Sequence, residues 1–171
     1  VELMMRAGAI EDYTFLWWDV RPHPNLGTVE VRIFDQQTRV DHTMALASLV
    51  VSLAHRLCAL YDRKEPMVEY PSELIDDNKV RAAVQGTDGV QIDFRSGERI
   101  AAPQMAHDLV VLLGEHADAL GCRAELDGVY DNRIFISGFL TNAIVAVILT
   151  FIGDRLSLDL YLVALISFGL R

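Results

Sequence analysis

Residues 15–35 read FLWWDVRPHPNLGTVEVRIFD. This stretch decides the fold, because it gathers Trp17, Trp18, Arg21, His23 and Arg32 with the carboxylates Asp19, Glu30 and Asp35 around one strand-like run. Within it residues 28–34 alternate. Val29, Val31 and Ile33 point to one side, and Glu30 and Arg32 share the other, since successive strand side chains change face. A carboxylate and a guanidinium are thereby presented side by side. The hard carboxylate oxygens suit a divalent cation, and the arginine fork suits an anionic phosphate. An acid and a base two apart on a strand are also an ordinary solvated sheet face with a weak ion pair. The approach segment favours the first reading: Pro22 and Pro24 restrict the backbone, and Gly27 permits an unusual dihedral. A rigid RPHP turn carrying Arg21 and His23 then leads into the charged strand.

Working outward, residues 13–20 and 28–34 read as adjacent antiparallel strands. Trp17 and Trp18 alternate faces there, so one is expected in the core while the other walls a pocket. A helix over 41–61 follows, with Met44, Leu46, Leu49, Val50, Leu53, Leu57 and Leu60 at helical spacing and Asp41 as N-cap. His42 and His55 belong to it as surface or cap residues, with no partner at metal-ligand spacing. Residues 63–71 form a loop. Ser72 caps a helix that ends near Gly86, a TDG turn leads to a short strand over 90–94, and Pro103 opens a helix that stops at Gly121. His107 and His116 on that last helix do not share a face. The fold class is α+β, an antiparallel sheet packed with helices.

The 171 residues are 51% hydrophobic with a net charge of -9. That length supports one domain with a substantial core. The acidic balance disfavours nucleic acid as a partner, because phosphate backbones demand clustered positive charge. Cys58 and Cys122 form no CxxC or zinc spacing and read as reduced thiols. With no signal-peptide pattern, the expectation is a cytoplasmic protein. The tail qualifies it: residues 134–153 carry no charge, about the length that spans a hydrocarbon core, and a second apolar run covers 160–170. Either membrane association through 134–170 or a buried helical hairpin gives this pattern. The sequence has no GxxxxGK[ST] phosphate loop, GxGxxG, GxSxG or HExxH. Without a phosphate loop, such a chain either cradles a nucleotide on a sheet with metals and arginines or does not use ATP at all.

The run WWDVRPHPNLGTVEVRIFDQQT, the long apolar helix after it, the segment DDNKVRAAVQGTDG and the later LLGEHADALGCRAEL together resemble the type-2 glutamate-cysteine ligases. These are ATP-dependent carboxylate-amine ligases. The resemblance covers roughly Asp12 to Arg133 and is to the family's C-terminal half. It implies a glutamine-synthetase-like ligase half-domain over residues 1–133, followed by a hydrophobic tail over 134–171 that does not match the family.

The resemblance further implies that ATP phosphorylates a substrate carboxylate and that an amine attacks the acyl phosphate, giving a gamma-glutamyl-type amide and ADP. Mg2+ and ATP are the expected cofactors, with a small amino acid or carboxylate and an amine as substrates. Glu30 falls at the family's magnesium position and Arg32 at the position that contacts the transferred phosphate as the catalytic arginine. Arg21 and His23 stand as substrate-binding candidates or as anchors of the turn. Asn78 is a further substrate-binding candidate, and Lys79 and Arg81 are ATP- or phosphate-binding candidates; a solvated helix face accounts for the three equally well. The family's early GxExE acidic cluster has no counterpart here, so the chain reads as joining the family's sequence in its middle. A noncatalytic remnant whose tail docks on a partner or a membrane is the alternative, and an exposed sheet edge leaves pairing with another copy open.

Overall fold

The computed structural model describes residues 1–131 apart from 24, 35–36 and 66–69, so the apolar tail expected over 134–171 lies outside the described residues. Two units are present, one containing residues 1–33 and the other residues 34–131. Both are mixtures of helix and small antiparallel sheets, in keeping with the α+β expectation. Among the described residues the strands form two two-stranded antiparallel sheets, one in each unit.

In the first unit a short helix, α1 (Glu2–Arg6), precedes a hairpin of β1 (Val20–His23) and β2 (Thr28–Val31). The strands run antiparallel with Arg21 opposite Glu30 and His23 opposite Thr28. A bond from the Arg32 amide to the Asp19 carbonyl, 2.8 Å, continues the pairing past β2. The strand expected over 13–20 is corrected: Tyr13–Phe15 is a 3-10 turn, and the strand starts only at Val20. The cause is Asp12, whose Oδ1 accepts from the Thr14 amide at 2.6 Å and from the Thr14 hydroxyl at 2.5 Å. Such a local bond offers the backbone a turn in place of a ladder. Arg21 and His23 consequently lie in β1 and not in a turn. Pro22 is tolerated there because a two-stranded sheet has an open edge on which a missing N–H loses no bond. The reversal follows at Gly27, whose φ of +62° a side chain would disfavour. Neither tryptophan is a core residue: Trp17 is 80% and Trp18 46% exposed, and Leu16 takes the buried position beside them.

The second unit is built on α2 (Val40–Asp62), α4 (Ala102–Leu120) and α5 (Arg123–Asp131), which pack on one another. Leu46, Leu49, Leu53 and Leu57 recur every three or four residues, so one stripe of α2 is buried. They share a core with Ala106, Leu109 and Leu113 of α4 and with Leu126 and Val129 of α5. Each buried leucine contributes about 1.5–3 kcal/mol. Met44, one step off that stripe, is exposed. Among the described residues α2 is the one helix long and apolar enough to cross a membrane, and its buried stripe is that of a core helix. Asp41 does not cap it. Arg39 holds both Asp41 oxygens, at 3.0 and 2.5 Å, which keeps the carboxyl down at about 2, and Arg39 itself occupies the cap position.

α3 (Ser72–Gln85) packs on a second hairpin, β3 (Val90–Asp93) with β4 (Glu98–Ala101). Pro71, not Ser72, stands at the α3 N-cap, while Gly86 ends the helix at φ +61°. Ile75 of α3 and Met105 of α4 form a small buried cluster with Phe94 and Ile100 against it. Pro103 sits in the first turn of α4, and Gly121 closes that helix in the left-handed conformation. Cys58 and Cys122 are free thiols; burial pushes the Cys58 thiol up.

Two histidines meet between α2 and α4, with His55 Nδ1 and His116 Nδ1 3.0 Å apart and the rings edge to face. His55 is thus not merely a surface residue. Burial lowers the pKa of His116 below its ordinary 6.5, with His55, Arg56 and Arg63 acting the same way and Glu115 opposing them. The unfolded chain therefore binds this proton more readily than the folded one. Stability from this site is complete above pH 6.5 and is lost as pH falls below it towards the folded-state value. The urea midpoint is expected to drop between about pH 7.5 and about pH 5.5, and His116→Gln is expected to reduce that drop. An equal drop in the variant would contradict the assignment.

Candidate active site

Strand alternation assembles the site on the first hairpin. Arg21 and His23 of β1 and Glu30 of β2 fall on one face, because Arg21 and Glu30 are register partners and His23 lies two residues from Arg21. Arg32 follows two residues beyond Glu30 and reaches the same carboxylate. Arg21 donates to Glu30 Oε2 from Nε at 3.0 Å and from a terminal nitrogen at 2.5 Å, and its other terminal nitrogen donates to the Thr14 carbonyl at 2.9 Å. Arg32 donates to Glu30 Oε1 at 3.3 Å. The guanidinium of Arg32 also lies over the exposed Trp17 ring, 5.1 Å from its centroid, in cation–π range.

The two arginines are therefore unequal. Arg21 is 11% exposed and makes a two-pronged contact with Glu30 as well as a backbone bond, whereas Arg32 is 29% exposed and holds Glu30 through one long bond. A single bond at that distance is the weaker contact and the one that yields to a better acceptor. Arg21 is the strut, and Arg32 is the cation that can turn to a ligand. The Arg21 hydrogen bond, with further attraction from both arginines, holds the Glu30 carboxyl below its usual range, so it stays ionised near neutrality.

The residues present fit a magnesium ion only in part. Glu30 is half exposed, and among the described residues its Oε1 carries just the long Arg32 contact, so one carboxylate oxygen is available. Among the described residues no group of three His, Cys, Asp or Glu side chains converges. Magnesium is commonly held by one or two carboxylates together with substrate phosphates and water. One carboxylate is what this hairpin supplies.

The remaining expected residues lie on α3. Asn78 is wholly buried: its amide donates to the Ile92 carbonyl and accepts from the Ile92 amide, both at 2.9 Å. Its polar atoms tie α3 to β3, so the solvated-face reading does not hold for Asn78. Arg81 pairs with Asp77 one turn earlier at 2.5 Å, and Lys79 lies 3.8 Å from Asp76. For both, the arrangement is that of an ion-paired helix face.

Tyr13 is a member of the cluster that sequence reasoning passed over. Its hydroxyl lies 3.0 Å from His23 Nε2. The available signal was Asp12 followed by Thr14, a local turn signature that lifts Tyr13 out of the strand.

Residues 1–133 match the model of glutamate-cysteine ligase family 2, and the chain belongs to that family. Residues 105–171 also match a model described as "Protein of unknown function (DUF1290)". A Sorangium cellulosum protein named "Putative glutamate--cysteine ligase 2" is 43% identical over 129 residues, covering 75% of this chain and 34% of that protein. Two Rubrobacter xylanophilus proteins carrying the same name with suffixes 2-3 and 2-1 are 44% and 40% identical over 131 residues, covering 77% of this chain and 34% of each. The chain spans about a third of the length of these curated relatives. No solved structure matches.

Proposed function

We propose that residues 1–133 carry part of the catalytic domain of an ATP-dependent carboxylate-amine ligase of glutamate-cysteine ligase type. The observation that carries the reading is an ionised, half-exposed Glu30 fixed by Arg21 on one oxygen and touched only loosely by Arg32 on the other. The substrates are ATP, an amino acid such as glutamate with a free carboxylate, and an amine such as cysteine. A glutamine-synthetase-like sheet is the framework this reading implies.

Phosphoryl transfer depends mainly on positioning and on neutralising charge at the phosphoryl oxygens. Mg2+, when bound, supplies that charge at the phosphate oxygens. Glu30 offers it Oε1, and Arg21 keeps the carboxylate in one orientation and ionised. Arg32 exchanges its weak bond to Glu30 for the transferred phosphoryl group, with the Trp17 ring supporting its guanidinium. His23 and Tyr13 border the same face. Lys79 and Arg81 contribute to phosphate binding only if they leave Asp76 and Asp77, which places them behind Arg32 as candidates.

Hydroxylamine intercepts acyl phosphates as hydroxamates. Incubation of the chain with ATP, Mg2+, glutamate and hydroxylamine is expected to yield glutamyl hydroxamate, and Glu30→Gln is expected to abolish it. A folded chain that forms none supports the alternative, a noncatalytic remnant docking through its tail.

A further inference from the structure

The hairpin face carries one group the phosphoryl-transfer reading leaves without a task. His23 is the one histidine among residues 1–33. It stands two residues from Arg21 on β1 and opposite Thr28 on β2. The Tyr13 hydroxyl lies within reach of both ring nitrogens, 3.0 Å from Nε2 and 3.4 Å from Nδ1, with ring centroids 4.8 Å apart at 63°. Both side chains are partly buried. Tyr13 is itself fixed, because Asp12 caps its 3-10 turn and Arg21 bonds the Thr14 carbonyl inside that turn. A tyrosine held this firmly holds the imidazole in turn.

The other charged groups on this face cannot take up a proton near neutrality. Arg21 and Arg32 offer donors and no acceptor, and Glu30 is kept ionised as a weak base by the guanidinium of Arg21. Imidazole is the side chain whose ordinary chemistry exchanges a proton in that range. Amide formation needs such an exchange, since an amino-acid amine arrives as an ammonium ion and only its free base attacks. Resting on the ligase reading above, we propose that His23 is the general base for the amine substrate and that Tyr13 is its positioning residue.

In the tautomer that carries its proton on Nε2, Nδ1 keeps its lone pair. Nδ1 takes a proton from the ammonium nitrogen, and the electron pair so released forms the N–C bond to the acyl carbon. The C–O bond to phosphate breaks and phosphate leaves with that bonding pair; the nitrogen gives its second proton to the departing phosphate, which leaves as hydrogen phosphate, and the imidazolium returns its own proton to water. Tyr13 keeps the ring from rotating and stabilises the imidazolium through its oxygen, as the partner of a catalytic histidine does in other enzymes.

Hydroxylamine tests this directly, because it is largely unprotonated at neutral pH and needs no base. In the full chain, supplied with ATP, Mg2+ and glutamate, His23→Gln is expected to lower cysteine-dependent amide formation by about 10²- to 10⁴-fold. Hydroxamate formation is expected to survive. Tyr13→Phe is expected to lower kcat for cysteine with little change in KM, and again to spare the hydroxylamine reaction. Equal losses with both amines would assign His23 to binding or folding and overturn the proposal. Unchanged rates with both would overturn it too. A wild-type chain that makes no hydroxamate would defeat the ligase reading and this inference together, which separates the two failures.

Discussion

Asn78→Ala is expected to produce the largest loss of stability of any single change at a predicted site residue. The side chain is completely buried and closes two hydrogen bonds with the backbone of Ile92. Removing it deletes two bonds worth about 1 kcal/mol each and leaves the partly buried amide and carbonyl of Ile92 without partners, at about 1–3 kcal/mol more. The sum is about 3–5 kcal/mol, within the range that breaking a buried network produces. With a urea slope of about 1–3 kcal/mol/M, the midpoint should fall by more than about 1 M. A urea titration followed by circular dichroism checks this. Asn78→Ala unfolding at the wild-type midpoint while losing ligand binding would place Asn78 in the substrate site and refute the role given to it here.

Arg32→Ala is expected to have the largest effect on nucleotide binding without a comparable loss of stability. A hydrogen bond to a charged group contributes about 1.5–3 kcal/mol, so losing the Arg32 contact to phosphate should weaken Mg·ATP by about 10- to 150-fold. Arg32→Lys should recover part of this, since lysine keeps the charge but not the two-pronged geometry. Arg21→Ala should behave differently. It removes the two bonds to Glu30 and the bond to the Thr14 carbonyl, so the hairpin itself should loosen. Displacement of a fluorescent ATP analogue, measured beside thermal unfolding, distinguishes the two arginines. Equal affinity in wild type and Arg32→Ala would remove Arg32 from the phosphate site.

Much of the second unit was legible in the sequence because its signals are local. The leucine spacing of α2, Gly86 after α3, Pro103 at the start of α4 and Gly121 at its end act within one or two helical turns. Glu30 beside Arg32 was legible for the same reason, since strand alternation needs no tertiary information. The first strand was not. Residues 13–20 alternate like a strand, yet Asp12 bonding Thr14 turns the backbone, and Pro22 looked like a turn residue although an edge strand accepts it. The role of Asn78 was hidden by its charged neighbours. Its spacing from Ile75 and Ala82, three and four residues away, marks the buried face of α3. His55 and His116 are 61 residues apart, and no local pattern brings them together. Arg21 opposite Glu30 depended on register, which the misplaced strand concealed.

Magnesium-dependent ATP binding by calorimetry, on the wild-type chain and on Glu30→Gln with its fold verified, tests whether Glu30 holds the metal at a nucleotide site. Heat is expected on adding ATP with Mg2+ and is expected to disappear when EDTA removes the metal, and residual binding by the Glu30→Gln chain is expected no longer to respond to Mg2+. Identical Mg2+-dependent binding in the two chains, or no binding by a folded wild type, would contradict that role.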